Sequence, residues 1–462
     1  MLRTILLFLM ACGAAIAAGP VYVVLWFDTE DYVLPASDDA ALRIATDLTR
    51  LGVRATFKVV GEKARVLESR GRFDVIRALS RHDIGYHAER HSMPPTQALY
   101  LRELGYREGA AEFERREGQG VKDIRRIFGV TPSCYGQPGS SWGPQSSLAL
   151  RHMGIPVYLD SGDQVGIRER PVWFGGILNA YSLGHFVLRA PLDDEGKLEE
   201  AFRQFDAAAA ELRNAPGGVI SIYYHPTEFL TTEFWDAVNF SHGKYADRSQ
   251  WVMPHQRTPE AAERAFRILS RYVERLKQSP DVRFVTAREL PQLYQSPTPP
   301  ALDKAVAAAH LSRGITFLET DSGVWSASDL LQVLLSMDPQ TVEGPDAKKG
   351  STWPGGPIPR AAFERTKTDA AGYIRYHRAL PSSVWVDSWQ LSLADFAATL
   401  AGDEGKTGEV AVRAGSLDFE GYVSKNAAKS FDWPIHPVGF APVELLDMAR
   451  LQAWTLKPAK LR

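Results

Sequence analysis

Cysteine is nearly absent from this chain, which has only Cys12 and Cys134. Cys12 falls in the leading segment. If that segment is cleaved, no intrachain disulfide can form and the core alone must hold the fold. An excess of charge is missing as well. Lys and Arg number 53 against 55 Asp and Glu, a formal net charge of −2. That leaves no electrostatic footprint for nucleic acid or an acidic membrane surface. The apolar run at residues 5–16 falls short of the roughly 20 residues that a bilayer span needs. What the sequence does have is length. Its 462 residues exceed one ordinary core, so two domains are expected.

Residues 1–18 read as a signal peptide. Arg3 supplies a charged start, residues 5–16 an apolar centre, and Ala15, Ala17 and Ala18 the small residues of a cleavage site. Leu9-Met10-Ala11-Cys12 loosely matches a lipobox, so lipid anchoring through Cys12 is the minor alternative. The expected location is secreted, periplasmic or cell envelope, with no transmembrane segment after signal removal.

Residues 21–27 form a continuous apolar run rich in β-branched and aromatic side chains, the pattern of a strand buried on both faces. It stops at Asp28-Thr29-Glu30-Asp31. Carboxylates at the end of a buried strand are costly unless paired or metal-bound. A helix (39–51), a strand (55–61), a helix (73–80) and a third strand ending in Ile84-Gly85-Tyr86 follow, giving a βαβαβ pattern. Further strands are expected at 155–159, 187–190, 219–224 and 282–286, and helices at 99–128 and 260–277. Such alternation argues for parallel strands with helices outside and active residues at the strand C-termini.

The stretch His82-Asp83-Ile84-Gly85-Tyr86-His87-Ala88-Glu89-Arg90-His91 follows this logic. His87 and His91 are four residues apart, a spacing at which two imidazoles on one helical turn can reach one metal ion. The pair falls where a strand gives way to a loop or helix. Another strand ends at His225-Pro226. In a barrel these ends meet at one face, which brings Asp28, Glu30, His87, His91 and His225 together.

With these motifs in place, residues 21–295 resemble the polysaccharide deacetylase family, the NodB-homology carbohydrate esterases. Phe27-Asp28-Thr29-Glu30-Asp31 resembles the FDxE/FDxD form of the family's first motif. Ala55-Thr56-Phe57-Lys58-Val59-Val60-Gly61 is similar to its ATFFVxG strand, and residues 82–91 to HEIGxHxxxH. Residues 220–226 resemble its closing LxLHP motif, and residues 282–290 its FVTxxEL end. The resemblance implies an α/β fold, a distorted (β/α) barrel of about seven strands. It implies Glu30, His87 and His91 as ligands of a divalent metal, most simply Zn²⁺, with Asp31 as the alternative carboxylate. Asp28 would be the general base and His225 the general acid. His82 would be structural, bonded to backbone. One motif departs. The family's RxPY, whose Arg orients the base, is here Tyr135-Gly136-Gln137-Pro138, with Gly136 in the arginine's place. Arg90 and Arg189 are candidate replacements.

The implied reaction is amide hydrolysis that releases acetate from an N-acetylated glycan or cell-wall polysaccharide. The loop of Tyr135, Gly136, Gln137 and Pro138 would serve the oxyanion. Asp160, at a strand end, and the loop residues Trp142, Trp235 and Trp251 are candidates for lining the substrate. Trp235 and Trp251 lie in the long connection 227–257, expected to shape the cleft. The alternatives are a glycan-binding pseudoenzyme, disabled by the missing arginine, and a hydrolase of a small non-peptide amide.

Residues 296–300 read as a linker between a barrel at 19–295 and a mostly helical domain at 301–462. That last region carries an internal repeat. Residues 325–331 match 391–397 and, more loosely, 440–446, each expected to open a helix at Ser326, Ser392 or Pro442. Residues 371–400 weakly resemble a pseudomurein-binding repeat, which implies a wall- or glycan-binding module.

Overall fold

The computed structural model describes residues 19–462 except Thr407; the expected signal peptide and Cys12 lie outside the described residues. One large curled sheet organises the chain. Its central strand is β1 (Val21–Thr29), buried along almost its whole length. β9 (Gly218–Tyr224) pairs with it in parallel on one side. On the other side, β10 (Val282–Val285) pairs with its first half and β2 (Thr56–Val59) with its second. The sheet continues in parallel from β2 through β3 (Asp83–Tyr86), β4 (Cys134–Tyr135) and β5 (Val157–Leu159) to β7 (Ile177–Ala180). β8 (Val187–Leu188) extends the β9 edge. At the far edge β6 (Val172–Phe174) turns back antiparallel to β7.

All seven strands expected from the sequence are present. The additional strands β4, β6 and β7 are short or interrupted by turn residues, which hides their period. Helices cover the outside. α1 (Ala36–Leu51) ends at Gly52 in the left-handed region, where glycine carries no Cβ penalty. α9 (Pro259–Lys277) begins with Thr258 accepting from the Ala261 N–H and Pro259 in its first turn. The helix expected at 99–128 is two: α4 (Gln97–Leu101) and α5 (Tyr106–Phe128), interrupted before Gly105.

The C-terminal region packs onto the barrel. Helices start where the repeat places them, at Ala327–Leu334, Leu393–Ala401 and Val443–Gln452, and Ser326 and Asp329 form a reciprocal capping box. Lys457–Pro458 then adds a strand beside β6. Glu343 accepts from both Arg107 and Arg151 of the barrel, at 2.7 Å each. The Pro297 carbonyl, in the expected linker, accepts from buried Lys457 Nζ, which also pairs with Asp329. The buried apolar core runs continuously from β1 into the C-terminal helices. No helix among the described residues is long and apolar enough to cross a membrane.

Candidate active site

The C-terminal ends of β1, β3, β5 and β9 open into one cavity of about 590 Å³, whose wall includes Asp28, Glu30, His87, His91, Asp160 and His225. β1 delivers two carboxylates. Glu30 Oε2 is 2.7 Å from His91 Nε2 and 3.4 Å from His87 Nε2, and the two Nε2 atoms are 3.1 Å apart. All three residues are buried. No helix joins His87 to His91. They lie in the loop after β3, and left-handed φ values of 64° at Ala88 and 53° at His91 fold it back.

The outer ring nitrogens fix both tautomers. His87 Nδ1 lies 3.0 Å from the Gly136 carbonyl, which can only accept. The Ser92 hydroxyl donates to Asp236 at 2.8 Å, so its oxygen accepts from His91 Nδ1, also at 2.8 Å. Both Nε2 lone pairs therefore point at each other and at a carboxylate. That donor set, two imidazoles and one carboxylate, fits a divalent cation. Burial lowers the His91 pKa, but the Glu30 carboxylate outweighs it and the net shift is upward. Burial holds His87 well below the usual range. Burial would raise Glu30, yet His91 and His225 keep it well below the usual carboxylate range.

Asp31 is not part of this set. Its Oδ1 accepts from the Val33 and Leu34 N–H groups at 2.8 and 2.9 Å, and its Oδ2 accepts from the Thr227 hydroxyl at 3.1 Å. Turn chemistry occupies it fully. His82 faces away, with Nδ1 accepting from the Ala55 N–H and Nε2 bonded to the Ala45 carbonyl.

Asp28 stands beside the trio, 3.4 Å from His87 Nδ1 and 3.6 Å from His225 Nε2. Burial pushes it up to about 7 against the pull of Lys58. His225 bonds through Nδ1 to Glu228, which also pairs with Arg189. Burial alone would lower His225, but Glu30 and Glu228 overcome it and hold it at about 9.

Sequence reasoning missed Lys58. The β1–β2 register sets it directly opposite Asp28. Its ammonium is fully buried, 2.9 Å from Asp28 Oδ1 and 2.7 Å from Asp160 Oδ2, and donates to the Leu159 carbonyl. It also lies 4.0 Å from the centre of the Trp26 ring. A charged residue inside an otherwise apolar strand was the available signal, since a buried ammonium needs partners. Neither suggested arginine is near Asp28. Arg189 sits over Tyr223 and Tyr224, and Arg90 is exposed.

The four candidate lining residues divide. Asp160 lines the cleft. Trp142 is in the core beside Phe174. Trp235 is fully buried, its Nε1 donating to Glu30 Oε1 at 3.2 Å, so it supports the carboxylate from behind. Trp251 packs on Tyr32 and Phe240 and bonds the Ala246 carbonyl. Aromatic side chains do reach the cleft, but they are Tyr223, Phe234 and Trp433. In the loop after β4, the Gly136 N–H is spent on the Tyr86 carbonyl, the Tyr135 hydroxyl bonds Gln97, and Gln137 reaches Tyr181. Pro138 accepts through its carbonyl from the Ser141 N–H.

Part of the cleft wall comes from far along the chain. Lys429, Asp432 and Trp433 line it. Trp433 donates its backbone N–H to Ser140 Oγ at 3.0 Å and its indole N–H to Asp236 at 3.3 Å, and its ring meets Phe234 edge-on. No sequence motif announces this segment.

No protein-family model and no curated protein sequence matches the chain. Solved structures do. The chain is similar to a Mycobacterium smegmatis protein assigned as a polysaccharide deacetylase, at 14% identity and a TM-score of 0.39, over 60% of this chain and 93% of that one. It is similar to an allantoinase at 14% identity and a TM-score of 0.40, over 59% and 90%. It is also similar to a CE4-family pseudoenzyme from Bacillus anthracis, at 12% identity and a TM-score of 0.30, over 57% and 63%.

Proposed function

We propose that this protein is an exported, metal-dependent deacetylase that hydrolyses N-acetyl groups of a glycan or cell-wall polysaccharide. One observation carries the reading. A preformed two-histidine, one-carboxylate cluster lies beside a buried carboxylate, Asp28, which in turn is 3.6 Å from a half-buried histidine, His225, within a single cavity.

Glu30 Oε2, His87 Nε2 and His91 Nε2 would hold the ion, and zinc suits this donor set. When bound, such an ion supplies Lewis acidity for the activation of water and of an amide carbonyl. The rest falls to the side chains. Asp28 accepts the proton of the attacking water as the C–O bond forms. His225 gives its proton to the amide nitrogen as the C–N bond breaks, and acetate and a free amine leave. Glu228 keeps the His225 ring oriented and charged for that transfer. Of the loop after β4, the Gln137 N–H is the proposed oxyanion donor, since that of Gly136 is spent. Trp433 and Phe234 offer aromatic surface suited to a sugar ring. The C-terminal part, read from sequence as a glycan-binding module, would thus act on substrate at the cleft itself.

The test is acetate release from N-acetylglucosamine oligomers by the zinc-loaded full-length protein, with metal content measured in parallel. Metal bound without acetate release on a glycan panel favours the pseudoenzyme. Absence of both removes the reading.

A further inference from the structure

We infer that Lys58 is the positioning cation for Asp28, and that Gly136 is glycine because the Lys58 ammonium occupies the space beside it. This rests on Asp28 as the base. Lys58, which stands where the ATFFVxG-like strand has a second Phe, and Gly136, in the arginine's place, meet in space. A Cβ on Gly136 would fall 2.0 Å from Lys58 Nζ and 2.2 Å from Asp160 Oδ2. No side chain at 136 is compatible with Lys58 as it stands.

The path of the lysine is cleared twice. The β2–β3 register places Lys58 beside Gly85, where a Cβ would come within 2.9 Å of Lys58 Cγ. The side chain passes Gly85 and ends beside Gly136, between carboxylates from β1 and the end of β5. The ammonium is fully buried, and Asp28 is nearly so, reaching only the cavity wall. Lys58 donates hydrogen bonds to Asp160 and to the Leu159 carbonyl, both at the C-terminal end of β5. The contact to Asp28 Oδ1 is an ion pair without hydrogen-bond alignment, and that oxygen accepts no hydrogen bond from the described residues, its other polar neighbour being His87 Nδ1 at 3.4 Å. Lys58 therefore ties the Asp28 carboxylate to β5 electrostatically. It holds the carboxylate in place and leaves its lone pairs free for a proton. Lys58 touches neither the water nor the carbonyl to be attacked. It acts through Asp28.

The experiment is a cycle of Lys58→Ala, Gly136→Arg and the double variant in the full-length protein, read by unfolding midpoint, metal content, KM and kcat. Lys58→Met and Gly136→Ala are milder companions in case the first pair does not fold. The expected result is a kcat loss of about a hundredfold for each single variant, as for a misplaced catalytic group. Metal content and KM should stay close to wild type. The double variant should have a higher midpoint than either single one and regain at least about a tenth of wild-type kcat, because one guanidinium then fills the shared space. Additive midpoints would overturn the shared space. Restored stability without restored kcat would overturn the positioning role, as would wild-type kcat in Lys58→Met. A wild type that releases no acetate fails the deacetylase reading separately, and the midpoints then decide the shared space alone.

Discussion

Nε2 of His87 and Nε2 of His91 face each other across 3.1 Å, each with its outer nitrogen already committed to an acceptor. Two lone pairs and the Glu30 carboxylate converge on one point at the wall of the cavity. Without a cation, a proton on His91 must bridge them. The purified protein should therefore carry close to one divalent ion per chain. His87→Ala and His91→Ala should each lower the occupancy at least tenfold, read by elemental analysis, with far-ultraviolet circular dichroism unchanged. Chelation should lower the unfolding midpoint of the wild type, since an ion bound only to the folded state stabilises it. An unchanged midpoint in the variants' company of full occupancy would remove the metal centre.

The acid and base should separate from the metal. Asp28→Asn should lose about a hundredfold or more in kcat while keeping the ion, as should His225→Ala, the range expected for loss of general acid–base catalysis. Trp235→Phe removes the indole N–H that Glu30 Oε1 accepts and should weaken metal retention instead. Single-turnover rates together with metal analysis distinguish the two effects.

The pH dependence follows from burial and charge. Asp28, at about 7, must be ionised, and His225, at about 9, must be protonated. A cation held by Glu30, His87 and His91 favours the carboxylate and disfavours the imidazolium, so in the loaded enzyme rate should rise below about pH 7 and fall below about pH 9. Glu228→Gln removes a carboxylate that favours the imidazolium, so the alkaline limb should move down by about one pH unit. The same linkage acts on stability. The His225 pKa is raised on folding, so its stabilising contribution is complete below about 6.5 and is lost as pH rises through about 9. An alkaline limb unmoved in Glu228→Gln would show that His225 is not the titrating acid.

The C-terminal part should prove inseparable from the barrel. A chain ending near Ser296 loses the strand beside β6, the Glu343 acceptor of Arg107 and Arg151, and the apolar cover those contacts imply. It should aggregate or unfold in place of retaining metal. Trp433→Ala is the finer probe. It should raise KM for an oligosaccharide more than tenfold with a smaller loss in kcat, since Trp433 lines the cleft but lies outside the acid–base set. A folded, metal-loaded fragment at 19–296 with unaltered kinetics would restore the modular view.

The sequence by itself was enough for the parallel β/α alternation and for the strand ends that carry Asp28, Glu30, His87, His91 and His225, because strand burial and polar strand ends are local in the chain. It identified His82 as structural and the helix starts at Ser326 and Ser392, which depend on neighbours a few residues away. It put Glu30 ahead of Asp31 only by resemblance and kept Asp31 as the alternative, because what occupies Asp31, Thr227 and the turn at Val33, is settled in three dimensions. It placed four residues in the cleft wall, and only Asp160 lines it, because a tryptophan in a loop has the same local pattern whether its ring meets solvent or core. It offered Arg90 and Arg189 for the missing arginine and passed over Lys58. Only the tertiary structure decided that point. The register of β1 with β2 and the curl of the sheet bring Asp28, Lys58, Gly136 and Asp160 within one ammonium's reach, although Asp28 and Asp160 are far apart in the chain.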